Sequence, residues 1–322
     1  MLIATRDAAG LATASDAGLV DAARELDAAQ SADGGASVFP VVDAASADTG
    51  TSETRTGVSG VCRITGAPDG FYENFDGTAL SDTWLLAHGV HSFAGSTARG
   101  GFVRDNVALQ NGTLLLMVRG DKYNGPVRGI NADGSARSDG RRSAAAAVTR
   151  DLFASGTYQM QGHLVAPAGV EVALWVMADD DSSGGIDIAV PGLALDAGTP
   201  SYAAVRMRSR TSRDASTLAL NQFALTDSLD DGKSHILRFD WYTVRSPATQ
   251  FWLDDSPRWT ASEHVPSGAA RRLWIVAWIP DDVAADFETA NVRIDNVFIT
   301  PFGNDGDRCA VSTFRNPGLV AP

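Results

Sequence analysis

The chain has 322 residues and a formal net charge of −13, and 44% of its residues are hydrophobic. That apolar content supports a sizeable core and excludes a wholly disordered chain. The acidic balance excludes nucleic acid as a partner, because phosphate binding needs a basic face. Within the charged set, 24 of the 26 basic residues are Arg and 33 of the 39 acidic residues are Asp. Asp and Gly are poor helix formers, whereas the scarce Lys and Glu are good ones, so strands joined by turns are expected. No apolar run is long enough to cross a membrane as a helix, and no membrane partner is expected.

The first residues show no signal peptide: the one early Arg is followed at once by Asp, and acids interrupt every apolar run. Residues 1–60 are rich in Ala, Ser, Asp, Gly and Thr and read as a low-complexity arm. Within the arm the pattern predicts one short helix, with Asp16 as its cap and Leu19, Val20, Ala23 and Leu26 on one stripe. Residues 44–60 read as a linker. Cys62 and Cys309 bracket the patterned region. They are either a disulfide that staples its ends or two free thiols in a reducing compartment. No Cys-X-X-Cys pair or Cys/His cluster suggests structural zinc.

From about residue 70 short apolar runs recur between turn signals. Asn111-Gly112, between VALQ and TLLLMV, predicts a two-residue hairpin, and Asp133-Gly134, Asp139-Gly140 and Asp231-Gly232 predict further turns. Strands are expected over 157–165, 170–178, 185–190, 203–208, 235–244, 249–255, 272–279 and 291–300, several with period-two alternation. This spacing predicts an antiparallel β-sandwich over residues 61–310, followed by a tail over 311–322.

The order of these segments resembles a known family. FYENFDGTALSDTW, NVALQNGTLLLMV, AAVTRDLFASGTYQMQGHLVAP, HILRFDWYTVRSPATQFWLDD, RLWIVAWIPDD and VRIDNVFITPF are similar to successive strands of glycoside hydrolase family 16, the laminarinase, agarase and xyloglucan-transglycosylase clan. The resemblance covers residues 70–302. It implies an all-β, concanavalin-like jelly roll of two stacked antiparallel sheets, with a carbohydrate cleft across the concave face.

One departure bears on function. The family signature is Glu-Ile-Asp-Ile-Glu, and the matching stretch here is GGIDIAVPG. The nucleophile position falls on Gly185, the assisting acid on Asp187, and the acid/base on Ala189, or on Val190 in a bulged form. Residues i, i+2 and i+4 of a strand share a face, so 185, 187 and 189 would all point into the cleft. A retaining glycosidase needs two carboxyl groups about 5–5.5 Å apart, and Gly and Ala supply neither. Substitutes would have to come from Glu171 on the preceding strand or from the acid run Asp179, Asp180 and Asp181, which otherwise read as a hydrogen-bonded strand position and a solvated turn.

Sugar clefts use aromatic faces, and Trp175, Trp274 and Trp278 are the binding candidates beside Glu171 and Asp187, each equally readable as core. Trp241 and Trp252 read as core. Arg206 and Arg208 alternate on one strand face and would donate to sugar hydroxyls or a sulfate, or else lie on an exposed outer face. The resemblance also implies a structural calcium held by Glu73 or Asp76 together with Asp295. His88 and His91 lie in a Gly/Ser-rich loop, and Arg119-Gly120-Asp121 spells an adhesion tripeptide at a strand end.

The expected function is a catalytically degenerate glycosidase-like jelly roll that binds a polysaccharide or serves a structural role. A virion surface or tail component would fit, with residues 1–60 as the attachment arm to an assembly partner, which places it outside a cell rather than in the cytoplasm. The alternatives are an active endo-β-glycanase using substitute acids, and a purely structural sandwich with no sugar ligand. No cofactor beyond the implied calcium is expected.

Overall fold

A computed structural model describes residues 70–302 except 91, 94–95, 98–99, 132, 138–141, 165–168, 179–183, 192–203, 213, 225–228, 230, 245 and 281–283, and it also describes residues 319–320. The expected arm and its helix, Cys62, Cys309, His91, Asp139-Gly140 and the Asp179–Asp181 run lie outside the described residues.

The strands in chain order are β1 (Phe71–Glu73), β2 (Trp84–Ala87), β3 (Ser92–Phe93), β4 (Ser96–Thr97), β5 (Val107–Gln110), β6 (Thr113–Arg119), β7 (Gly129–Ile130) and β8 (Ala136–Arg137). They continue as β9 (Ala145–Thr149), β10 (Gly156–His163), β11 (Glu171–Met177), β12 (Gly185–Pro191), β13 (Ala204–Arg210) and β14 (Leu218–Ala224). The last are β15 (His235–Tyr242), β16 (Ala248–Leu253), β17 (Ser256–Ala261), β18 (Arg272–Trp278), β19 (Thr289–Pro301) and β20 (Leu319–Val320). The first large sheet runs β17-β16-β15-β10-β19-β6-β5, with β1 also on β19. The second runs β14-β13-β12-β11-β18-β9-β2-β20. Both are antiparallel, as the jelly-roll reading requires.

Turn chemistry fixes the hairpins. Asn111 and Gly112 have φ of 54° and 72°, the left-handed pair that a two-residue hairpin needs, and they join β5 to β6. Asp254 and Asp255 do the same between β16 and β17, with φ of 49° and 60°. Asp tolerates this region better than most residues with a Cβ.

Period-two alternation then decides the layers. In β15, Leu237, Phe239 and Trp241 are buried while Ile236 and Arg238 are only half-buried. The inner faces of both sheets meet in one core that includes Tyr158, Phe239, Phe251, Leu174, Ile188 and Ile275. Each such side chain contributes roughly 1.5–3 kcal/mol through burial. Trp84 closes the core at one end: it packs edge-on against Phe71, and its indole N–H donates to Glu73 Oε2 at 3.2 Å.

Besides the short pairs β3–β4 and β7–β8, the structure departs from the sequence expectation in two long strands and in the tail. Leu218–Ala224 and Ser256–Ala261 are strands that the pattern did not announce. Pro257 is tolerated in β17 because that strand is a sheet edge, where a missing N–H breaks no ladder. The expected tail is not all tail: Leu319–Val320 pairs with β2 and extends the second sheet.

Candidate functional site

The signature strand β12 lies between β11 and β13 in the second sheet. Its Ile186, Ile188 and Val190 point into the core between the sheets. Gly185, Asp187 and Ala189 therefore share the opposite face, as the sequence predicted. Strand register aligns that face in rows. One row runs Arg210, Gly185, Met177 and Arg272. The next runs Arg208, Asp187, Trp175, Trp274 and Val148. The third runs Arg206, Ala189, Ala173, Val276 and Ala146, and in the last Glu171 stands opposite Trp278. All five sugar-binding candidates, Glu171, Trp175, Asp187, Trp274 and Trp278, are thus brought to one face.

This face is closed. Trp175, Trp274, Trp278, Ala173, Ala189, Val276 and Phe102 form a second apolar cluster separate from the inter-sheet core. Trp175 and Trp274 are each 1% exposed and Trp278 is 3% exposed, and Trp175 packs edge-on against Trp278 with ring centroids 5.9 Å apart. Their ring faces are occupied by protein.

The polar groups of the face are also committed. Arg208 Nε donates to Asp187 Oδ1 at 2.7 Å and to Oδ2 at 3.0 Å. Arg208 Nη2 lies 4.0 Å from Glu171 Oε1, and Arg206 Nη2 donates to Glu171 Oε2. Trp278 Nε1 donates to Glu171 Oε1 at 3.0 Å. Asp187 is 6% exposed and Glu171 1%. Burial alone would raise the Glu171 pKa, but the charges of Arg206 and Arg208 and the hydrogen bonds from Trp278 and Arg206 outweigh it and hold the pKa below the ordinary 4.5. The same pairing keeps Arg208 charged: burial disfavours its cation, and Asp187 and Glu171 more than compensate. Two acids and two guanidiniums thus form one paired, largely buried network.

The network revises the reading of Arg206 and Arg208. They are largely shielded, and their partners are protein carboxylates. A signal was present in the sequence: Arg206, Arg208 and Arg210 repeat with period two, as Gly185, Asp187 and Ala189 do. What the sequence does not show is that the two strands pair Asp187 with Arg208.

Gly185 has its own packing role. A Cβ built there would lie 2.5 Å from the Val176 carbonyl oxygen and 3.3 Å from Met177 Cγ. The first is a backbone atom of the neighbouring strand, so a side chain at the nucleophile position requires the β11–β12 pair to move.

The remaining candidates separate. Glu73 accepts from the Phe75 N–H at 3.0 Å, from Ser81 Oγ at 3.2 Å and from Trp84, while Asp295 accepts from Ser234 Oγ. Among the described residues no group of three or more His, Cys, Asp or Glu is arranged to hold a metal. Trp241 is buried, as expected, but Trp252 is half-buried on the outside of the first sheet, with Arg238 4.9 Å above its ring. The adhesion tripeptide is built into the fold. Arg119 donates to Asn106 Oδ1 at 3.2 Å and to Thr289 Oγ1 at 2.7 Å, and Asp121 pairs with Arg142 at 2.7 Å. His88 accepts from the Arg104 N–H at 3.4 Å.

No family model matches the sequence, and no curated protein matches it. Solved structures do match in fold. A prokaryotic β-1,3-1,4-glucanase (lichenase) derived from a mouse hindgut metagenome is 19% identical, with a TM-score of 0.57 over 72% of this chain and 99% of that one. The catalytic domain of an endo-1,3-β-glucanase (laminarinase) from Thermotoga petrophila is 14% identical, with a TM-score of 0.55 over 71% of this chain and 95% of that one. A LamA variant from Zobellia galactanivorans, solved with laminaritriose and laminaritetraose, is 16% identical, with a TM-score of 0.52 over 71% of this chain and 97% of that one. At such identities the likeness establishes the fold: a glycoside hydrolase family 16-like jelly roll.

Proposed function

We propose that this chain is a catalytically degenerate, glycosidase-like jelly roll with a structural role, in which the face that would hold a glycan has become a second core. The observation that carries this reading is the space at position 185, where even a Cβ meets the Val176 carbonyl at 2.5 Å. A nucleophilic Glu there would force the β11–β12 pair apart, and Ala189, which carries no carboxyl, is 0% exposed. The two carboxylates left on the face do not form a substitute pair. A general acid needs a proton near neutral pH, whereas Arg206 and Arg208 keep Glu171 ionised. Asp187 is tethered to Arg208 through both carboxylate oxygens, which fixes it on the sheet and weakens it as a nucleophile.

A second reading is glycan binding without cleavage. It is favoured by the gathering of Trp175, Trp274, Trp278, Glu171 and Asp187 on one face, the mixture of aromatic planes and fixed polar groups that sugars use. It requires that face to open. A position outside the cell or on a virion, with residues 1–60 as the attachment arm, belongs to the same proposal.

Reducing-sugar release on laminarin, lichenan, agarose, carrageenan and xyloglucan tests the first reading. No release above the buffer control is expected. Release that Asp187→Asn abolishes would overturn it. A glycan array separates the two readings: binding that Trp278→Ala removes would favour the second.

A further inference from the structure

An antiparallel sandwich has sheet edges whose outward N–H and C=O groups lack ladder partners, and proteins protect such edges with Pro, charge or shortness. Among the described residues the two large sheets end on β17 and β5, and on β14 and β20. Three of these edges are protected. β17 carries Pro257 and Arg258. β5 has four residues and follows the exposed Arg104–Asp105 pair. β20 has two residues.

β14 has no such device. It is a regular strand of seven residues, Leu-Ala-Leu-Asn-Gln-Phe-Ala, with no charge and no Pro, in a chain that is 20% charged. Leu220 is 48% exposed, and Gln222 and Ala224 are exposed beside it. Its other edge is fully paired with β13 from Leu218 to Ala224.

The sequence of β14 is also self-complementary. An antiparallel pair with a two-fold axis through Asn221 sets Ala219 opposite Phe223 and Leu220 opposite Gln222. Two Asn221 amides then meet at the axis. The Ala219–Phe223 pairing matches a small residue to a large one on the core-facing side, where both already pack against the core. β14 itself brings no charged side chain to the junction, and the cation beside it, Arg258, lies over the Phe223 ring at 5.7 Å.

We infer that β14 pairs antiparallel with β14 of a second copy of this chain, joining the two second sheets into one continuous sheet across a two-fold axis. A junction of two seven-residue strands is small, so the dimer should form in the micromolar range rather than be permanent. It would place the Arg206–Arg208 faces of the two copies side by side.

Sedimentation of the full chain across the micromolar range tests this, read together with amide hydrogen exchange. The expected result is a concentration-dependent rise from 33.7 kDa toward twice that mass, with slowed exchange over residues 218–224 as the dimer forms. Leu220→Glu with Gln222→Glu, both at exposed positions opposite Arg208 and Arg206 within one copy but opposite each other across the junction, should hold the mass at that of one chain and remove the added protection while leaving the melting temperature near wild type. Ser256→Lys, on the already protected β17 edge, should leave the dimer intact. A wild-type chain that stays at 33.7 kDa throughout would overturn the inference. So would a double-Glu variant that dimerises as wild type does, or concentration-dependent protection that falls elsewhere.

Discussion

Arg208→Met puts the structural role of the closed face to a quantitative test. Arg208 is the only hydrogen-bond partner of Asp187 among the described residues, through contacts of 2.7 and 3.0 Å. Glu171 would keep Arg206 and Trp278, so the loss falls mainly on Asp187. Removing one member of a buried pair strands the other charge and costs about 3–5 kcal/mol. For a domain of this size each kcal/mol moves the melting temperature by roughly 2–4 °C, so a fall of roughly 6–20 °C is expected. Thermal unfolding and urea midpoints of the full chain read this directly. Arg208→Met with Asp187→Leu should recover most of the loss, because an apolar pair replacing a buried ion pair is often neutral. A single variant within about 1 kcal/mol of wild type would refute the argument, because surface-like substitutions usually fall in that range.

Further outcomes follow from neighbouring groups. Gly185→Glu should lower stability by about 1–3 kcal/mol or more through overpacking against Val176, and should confer no hydrolysis, by urea unfolding and a sugar-release assay. His235 faces Asp254 and Asp231 with opposite ring nitrogens, at 2.9 and 3.1 Å, and donates to both when it is protonated. Burial disfavours its cation, but these two hydrogen bonds raise its pKa above 6.5, so its contribution to stability is full below pH 6.5 and is lost as pH rises through the folded value. Melting temperatures of wild type and His235→Gln should therefore converge as pH climbs above that range. The Glu171 pKa is lowered, so its contribution is present above pH 4.5 and disappears as pH falls through the folded value. Glu171→Gln should flatten that acid limb in a melting-temperature series.

Much of the fold was legible because its strongest local signals agreed. The Asn111-Gly112 turn, the alternation in β15 and the apolar run of β11 each have one strand interpretation, and together they place the signature strand with 185, 187 and 189 on one face. The Asp254-Asp255 turn was half legible: the sequence marks a strand ending in acids, but two Asp residues do not announce left-handed φ as Asn-Gly does. β14 was illegible because its polar residues, Asn221 and Gln222, are adjacent and break the alternation. The site was legible as a loss, since Gly185 and Ala189 lack carboxyls. Its replacement was not legible. That Arg208 meets Asp187, and that Gly185 sits against the Val176 carbonyl, depend on the register and closeness of neighbouring strands, which no local pattern encodes.

The central claim is that no carboxylate on this face can act as a nucleophile. A retaining glycosidase passes through a covalent glycosyl-enzyme, which an activated fluoro-glycoside of a β-glucan oligosaccharide traps as a stable adduct. Intact-mass spectrometry of the full chain after such incubation should return the mass of the unmodified protein. A stoichiometric glycosyl adduct mapped to Asp187 or Glu171 would contradict the account.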